Sequence, residues 1–182
     1  MIKSIALTTI TALFLVGCGG GGDESSTPTT TNVGTYNLWE YMTPSSSDTN
    51  TFTLSSNSVD STYTATYIVK SNRVEEVANY APDERTIYEK GANTITVKFE
   101  KGGKANGTYA LKLTANINDI VTTRSSTCKL TKHLPSFSIA DKTFQDVIEI
   151  TCGSTPGYYQ KGVGEIAQIE DSSGKNIRVL SN

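Results

Sequence analysis

The chain is poor in the side chains that carry most enzymatic chemistry. Its 182 residues include one histidine, one tryptophan and three cysteines. One histidine excludes a histidine-rich metal centre and leaves a single candidate general base, His133, in Lys132-His133-Leu134-Pro135. That stretch reads as a strand end, where a histidine is usually solvated or capped. A basic excess is also missing: 16 Lys and Arg stand against 18 Asp and Glu, for a formal charge of −2. This excludes a nucleic-acid surface and a polybasic membrane patch. The chain has no long stretch of helical period and no internal repeat, so helices are expected to be few or absent. Carboxylate pairs such as Glu75-Glu76 and Asp83-Glu84 fall where charged loops are expected, and neighbours on a strand point to opposite faces. No catalytic residue, metal site or cofactor is expected, and the reading is non-enzymatic.

What is present begins at the N-terminus. Lys3 precedes an apolar region from Ile5 to Val16, too short to cross a bilayer as a helix and about the length of a secretory signal core. The tetrapeptide Leu15-Val16-Gly17-Cys18 that follows resembles the bacterial lipobox. That resemblance implies cleavage before Cys18 and a covalent diacylglycerol on its thiol. Two or three acyl chains, at ~0.8 kcal/mol per buried methylene, hold a soluble domain on a bilayer. A secreted protein with an incidental cysteine, or an uncleaved stub, is the competing reading. Gly19 stands where an aspartate would favour inner-membrane retention in enteric bacteria, so the address leans to the outer membrane of a bacterial cell envelope, with periplasmic and surface orientations both open.

Residues 1–17 thus read as a lipoprotein signal peptide and 18–32 as an acylated cysteine with a flexible tether of Gly, Ser, Thr, Asp, Glu, Asn and one Pro. Such a tether has a reach of roughly 20 Å. Residues 33–182 read as a single domain. Within it, Cys128 and Cys152 are expected to pair in an oxidising compartment. A hairpin centred near Ala140-Asp141 would set them opposite each other, and the chain-entropy model gives ~3.5 kcal/mol at best for such a loop. A redox pair, or a metal site with His133, is the alternative.

Period-two alternation dominates beyond residue 50. Ile95, Val97 and Phe99 share one face, as do Tyr63, Ala65, Tyr67 and Val69; Tyr109, Leu111 and Leu113; Phe144, Ile148, Ile150 and Cys152; and Ile177 and Val179. Turns are read at Lys70–Arg73, Lys90–Asn93, Lys101–Gly107 and Ser172–Lys175, rich in residues that reach positive φ. The fold class is all-β: a single antiparallel meander of eight to ten strands, curled into a sheet, half-barrel or small barrel. Tyr36-Asn37-Leu38-Trp39-Glu40-Tyr41-Met42 is the most aromatic stretch. Trp39 either anchors the start of the domain against the sheet or faces a ligand or partner.

Thr143-Phe144-Gln145-Asp146-Val147-Ile148-Glu149-Ile150, followed by Tyr158-Tyr159-Gln160-Lys161-Gly162-Val163-Gly164-Glu165-Ile166, resembles the C-terminal hallmark of the TapB-like family of secreted and lipid-anchored bacterial β-domains. The resemblance implies an antiparallel β fold and no established enzymatic activity. Gly162 and Gly164, two apart on an expected strand, would leave a bare strip. An aromatic cover from Tyr158 or Tyr159, or the approach of another molecule, would use the room. The functional expectation is a lipid-anchored binding protein whose partner is an envelope protein or a small apolar ligand, with Trp39, Tyr158, Tyr159, Gly162 and Gly164 as candidate binding residues. A hydrolase acting on envelope polymers, or a purely structural envelope component, is the alternative.

Overall fold

The computed structural model describes residues 34–56, 59–123, 127–169 and 177–181. The signal peptide, Cys18, the tether and the Ser172–Lys175 turn lie outside the described residues. Within them the chain is all-β. Its strands are β1 (Thr35–Asn37), β2 (Thr49–Ser56), β3 (Val59–Lys70), β4 (Arg73–Ala78), β5 (Glu84–Lys90), β6 (Thr94–Lys101), β7 (Lys104–Lys112), β8 (Thr114–Asn116), β9 (Ile120–Thr123), β10 (Thr127–Ile139), β11 (Lys142–Cys152), β12 (Thr155–Gln160), β13 (Gly164–Ile169) and β14 (Ile177–Leu180), with one helix, α1 (Leu38–Met42). Twelve of these strands close into an antiparallel barrel in the order β10-β11-β12-β13-β14-β2-β3-β4-β5-β6-β7-β9, while β1 and β8 form a separate pair. The sequence left open whether the sheet closes, and it underestimated the strand number.

The β10–β11 hairpin follows the sequence reading closely. Ala140 and Asp141 both have positive φ (48° and 63°), as a two-residue primed turn requires. Cys128 faces Cys152 across the ladder, with one irregularity between Leu130 and Lys132, and the two form a disulfide with an S–S distance of 2.06 Å. Other readings are corrected. The turn expected over Lys101–Gly107 is only Gly102-Gly103, and Lys104–Gly107 belongs to β7 because Gly107, at φ 140°, absorbs the register shift after Phe99. Leu113 lies between β7 and β8 instead of continuing the strand. His133 is not at a strand end: it sits inside β10 opposite Ile148.

A barrel of eight strands is filled by its own side chains, whereas twelve strands leave an interior that something must occupy. Here α1 occupies part of it. Five residues are too few to hold a helix by propensity. The Asn37 side chain accepts from the Trp39 N–H at 3.3 Å, and the Thr43 N–H returns to the Trp39 carbonyl. Such a cap contributes about 1 kcal/mol. Complete burial of Leu38, worth about 2 kcal/mol, contributes more. Leu38 and Tyr41 pack with Ile95, Val97, Leu111, Leu130, Ile148 and Ile150, all on the inward face. Trp39, half-buried, joins this group to the rest of the core, with Lys90 Nζ 5.9 Å from its ring centroid.

The helix blocks one end of the barrel. Successive turns of a meander alternate between ends, so Asn72, Gly91 and Gly162 lie at the α1 end, with the Lys90 N–H donating to the Asn72 carbonyl at 2.8 Å. Asp83, Gly102 and Gly153 lie at the other, where the Gly102 N–H donates to Asp83. The outward face carries Arg73, Glu75, Arg85, Glu89 and Lys98 in linked ion pairs. A lipid-facing band would not tolerate these charges, so this surface is suited to water.

The C-terminal strand is covered on both faces. Arg178 and Leu180 share the inward face with Phe52 and Leu54. On the other face, Phe137 stacks on Tyr158 with ring centroids 4.1 Å apart, and the hairpin end is pinned by Lys142 Nζ donating to the Ser181 carbonyl at 2.5 Å.

Candidate ligand site in the barrel lumen

The residues singled out in the sequence are only partly brought together. Trp39 and Tyr159 share the lumen side, whereas Tyr158 lies on the opposite face beneath Phe137. Gly162 and Gly164 do not form a strip on a strand. Gly162 sits in the Lys161–Val163 turn and Gly164 opens β13, because φ values of 78° and 93° suit a tight reversal. The room they leave is used by the chain's own exit from α1. The Gly162 N–H donates to the Glu40 carbonyl at 2.6 Å and its carbonyl accepts from the Ser45 N–H at 2.8 Å. A Cβ on Gly164 would meet Pro44 Cδ at 3.5 Å. Gly164→Ala is therefore expected to destabilise the barrel by about 2 kcal/mol through its left-handed backbone, measured as a lower urea midpoint. The aromatic cover occurs elsewhere, at Gly157, where a Cβ would fall 3.0 Å from Tyr159 Oη.

Beside the plug, Asp146 accepts from the Tyr41 hydroxyl at 2.7 Å and lies 2.8 Å from His133 Nε2, while Tyr36 leans on the His133 ring. Burial works against the Asp146 carboxylate, but the bonds from His133 and Tyr41 outweigh it and hold its pKa below the usual carboxylate range. This group ties α1 to the barrel wall.

The lumen carries a second polar group that sequence reasoning missed. Register places Ala65 and Tyr67 of β3 beside Ala78 and Glu76 of β4, Tyr63 beside Phe52 of β2, and Glu76 beside Thr86 of β5. From β14, the Arg178 guanidinium pairs with Glu165, donates to the Gln168 side-chain oxygen at 2.5 Å and to Tyr63 Oη at 3.3 Å. Burial opposes the charge on Arg178, yet Glu165 and Tyr63 hold its pKa above the ordinary value. Glu76 accepts from Tyr88 Oη at 3.4 Å. Its pKa is pushed up to about 7, chiefly by desolvation and then by the Glu165 carboxylate, with Arg178 pulling the other way. Tyr67 and Tyr159 are raised by burial and feel the same two carboxylates.

At the end opposite α1 this wall opens into a cleft of about 310 Å³, with Glu76, Tyr80, Glu84, Arg85, Phe99 and Glu100 among its lining residues. Tyr80, 70% exposed, stands at the rim edge-on to Tyr63, ring centroids 5.1 Å apart. The volume is at the small end of the range for ligand pockets, ~300 to 1,000 Å³. Among the described residues no three His, Cys, Asp or Glu side chains converge for a metal ion.

The fold and site define a closed, all-β barrel with a helical plug at one end and an ionisable cleft at the other. No protein-family model, curated protein or solved structure matches the chain.

The signal for Glu76 was present in the sequence. A two-residue hairpin at Ser71-Asn72 sets Val69 opposite Val74, and alternation then carries Val74, Glu76 and Ala78 onto the face of Tyr67 and Ala65. Reading Glu75-Glu76 as a charged loop concealed that the two glutamates point to opposite faces, Glu75 into the outer ion pairs with Arg73 and Arg85 and Glu76 into the lumen.

Proposed function

We propose that this is a lipid-anchored, non-enzymatic protein of the bacterial envelope whose barrel binds a small ligand through the end that α1 leaves open. The lipobox at Leu15–Cys18 supports the anchor, and the C-terminal resemblance to TapB-like β-domains is in keeping with the class. The observation that carries the binding reading is Glu76: a carboxyl group set among tyrosines at a lumen-side cleft contributes nothing to packing that a leucine would not do better. An ionisable wall favours an amphipathic ligand over the purely apolar one expected from the sequence. An envelope protein docking on the loops is the competing mode.

Two measurements test this reading. Cys18→Ser is expected to release the protein from membranes into the soluble fraction; unchanged sedimentation with membranes would remove the anchor. Native mass spectrometry of the lipoprotein extracted from its own membranes is expected to show a small-molecule adduct beyond the anchor lipids. Recovery of a protein partner with no such adduct would replace lumen binding with docking. The hydrolase reading has one observation on its side: Glu76 titrates in the range of a proton donor while Glu165 shares the lumen. Against it, Glu165 is held by Arg178 instead of facing a substrate position.

A further inference from the structure

Resting on that reading of the lumen, we propose that the cleft selects a small organic cation: an amine or quaternary ammonium group seated on Glu76, with its apolar body against Phe99 and Tyr80. The charges around the cleft lead to this class by elimination. Arg85, the cationic side chain of the lining, turns outward, with Nη1 3.2 Å from Glu75 on the other face of the sheet. Glu84 is met by Lys101 at 2.7 Å. Across the lumen, the Arg178 charge is paired with Glu165 and its Nη atoms also donate to Gln168 and Tyr63, while its Nε–H is buried without a partner. Glu76 is left with one described donor, the long bond from Tyr88 Oη.

A carboxylate has room for about four hydrogen bonds. The oxygens of Glu76 therefore keep acceptor capacity beside the cleft, and an ammonium N–H would fill it with a charge-assisted bond. A neutral head would bring at most a weaker, uncharged hydrogen bond, and an anionic head would repel the carboxylate. The aromatic groups point to the same class. The ring of Phe99 lines the cleft and Tyr80 stands exposed at its rim, and a cation within ~6 Å of such a ring face is attracted by its quadrupole.

The test uses the full acylated chain in neutral detergent micelles and three probes of one shape: phenethylamine, phenethyl alcohol and phenylacetate, titrated calorimetrically at pH 8. Phenethylamine is expected to bind saturably, with the alcohol and the acid at least tenfold weaker. Glu76→Gln should weaken the amine at least tenfold, which separates lumen binding from partition into the micelle. Tyr80→Ala, at an exposed position that does not threaten folding, should weaken it several-fold. Equal binding of amine and alcohol, or an amine affinity unchanged in Glu76→Gln, overturns the cation preference while leaving lumen binding in place. Failure of the amine to bind also overturns it, and the adduct measurement on membrane-extracted protein then decides the broader reading by itself.

Discussion

Arg178→Met is expected to destabilise the barrel by about 3 kcal/mol at pH 7, read as a fall in urea midpoint at unchanged slope. Methionine keeps the apolar length of the side chain but removes the guanidinium paired with Glu165. Breaking a buried pair by deleting one partner costs ~3 to 5 kcal/mol, because the remaining charge stays desolvated. Each side chain of this pair retains 23% of its exposure, so the lower end applies. Combining Arg178→Met with Glu165→Gln should recover most of the loss, since both charges of the pair are then gone from the lumen. A single-variant cost below about 1 kcal/mol would show that the pair is screened as a surface bridge would be. The lumen would then be wet enough that Glu76 gains little from a bound cation.

These two lumen carboxylates also mark where sequence reading succeeded and where it stopped. Alternation in β3, β6 and β11 and the Ala140-Asp141 turn were legible because period two and primed turns are local properties. The disulfide followed from that register. Closure was not legible, because it rests on β14 pairing with β2 from the far end of the chain and on β7 meeting β9 while β8 leaves the barrel to meet β1. The faces of β14 were not legible either. Ile177 and Val179 look like its buried side, yet Arg178 and Leu180 face the lumen, and the first pair is covered only because the β10–β11 hairpin packs on the outside. A strand with both faces buried loses the alternation that would identify it. The glycines misled for a related reason: Gly162 and Gly164 mark a close approach, but the approaching backbone is that of Met42–Ser45, far away in sequence.

Glu76→Gln should stabilise the barrel at alkaline pH and leave it unchanged in acid. With a folded pKa of about 7 against an ordinary 4.5, the protonated group favours the folded state. That contribution is fully present below about pH 4.5 and is lost as the pH rises through 7. By pH 8 the ionised carboxylate has withdrawn about 3 kcal/mol relative to a neutral isostere. Glutamine keeps the shape and the acceptor for Tyr88 but never ionises, so the variant and parent should unfold together at pH 4 and diverge by up to about 3 kcal/mol at pH 8. The groups facing Glu76 set the size of the effect. Desolvation and Glu165 raise its pKa, while Arg178 and the Tyr88 hydroxyl lower it. Glu165→Gln should therefore narrow the gap between the two pH values, and Arg178→Met should widen it. Equal stability of Glu76→Gln and parent at pH 8 would mean that Glu76 is hydrated and its ionisation costs nothing. Divergence would show that the fold carries a carboxylate it would be more stable without. Selection keeps such a group only where the ionised form does something, and at the base of this cleft the available task is to meet a positive charge.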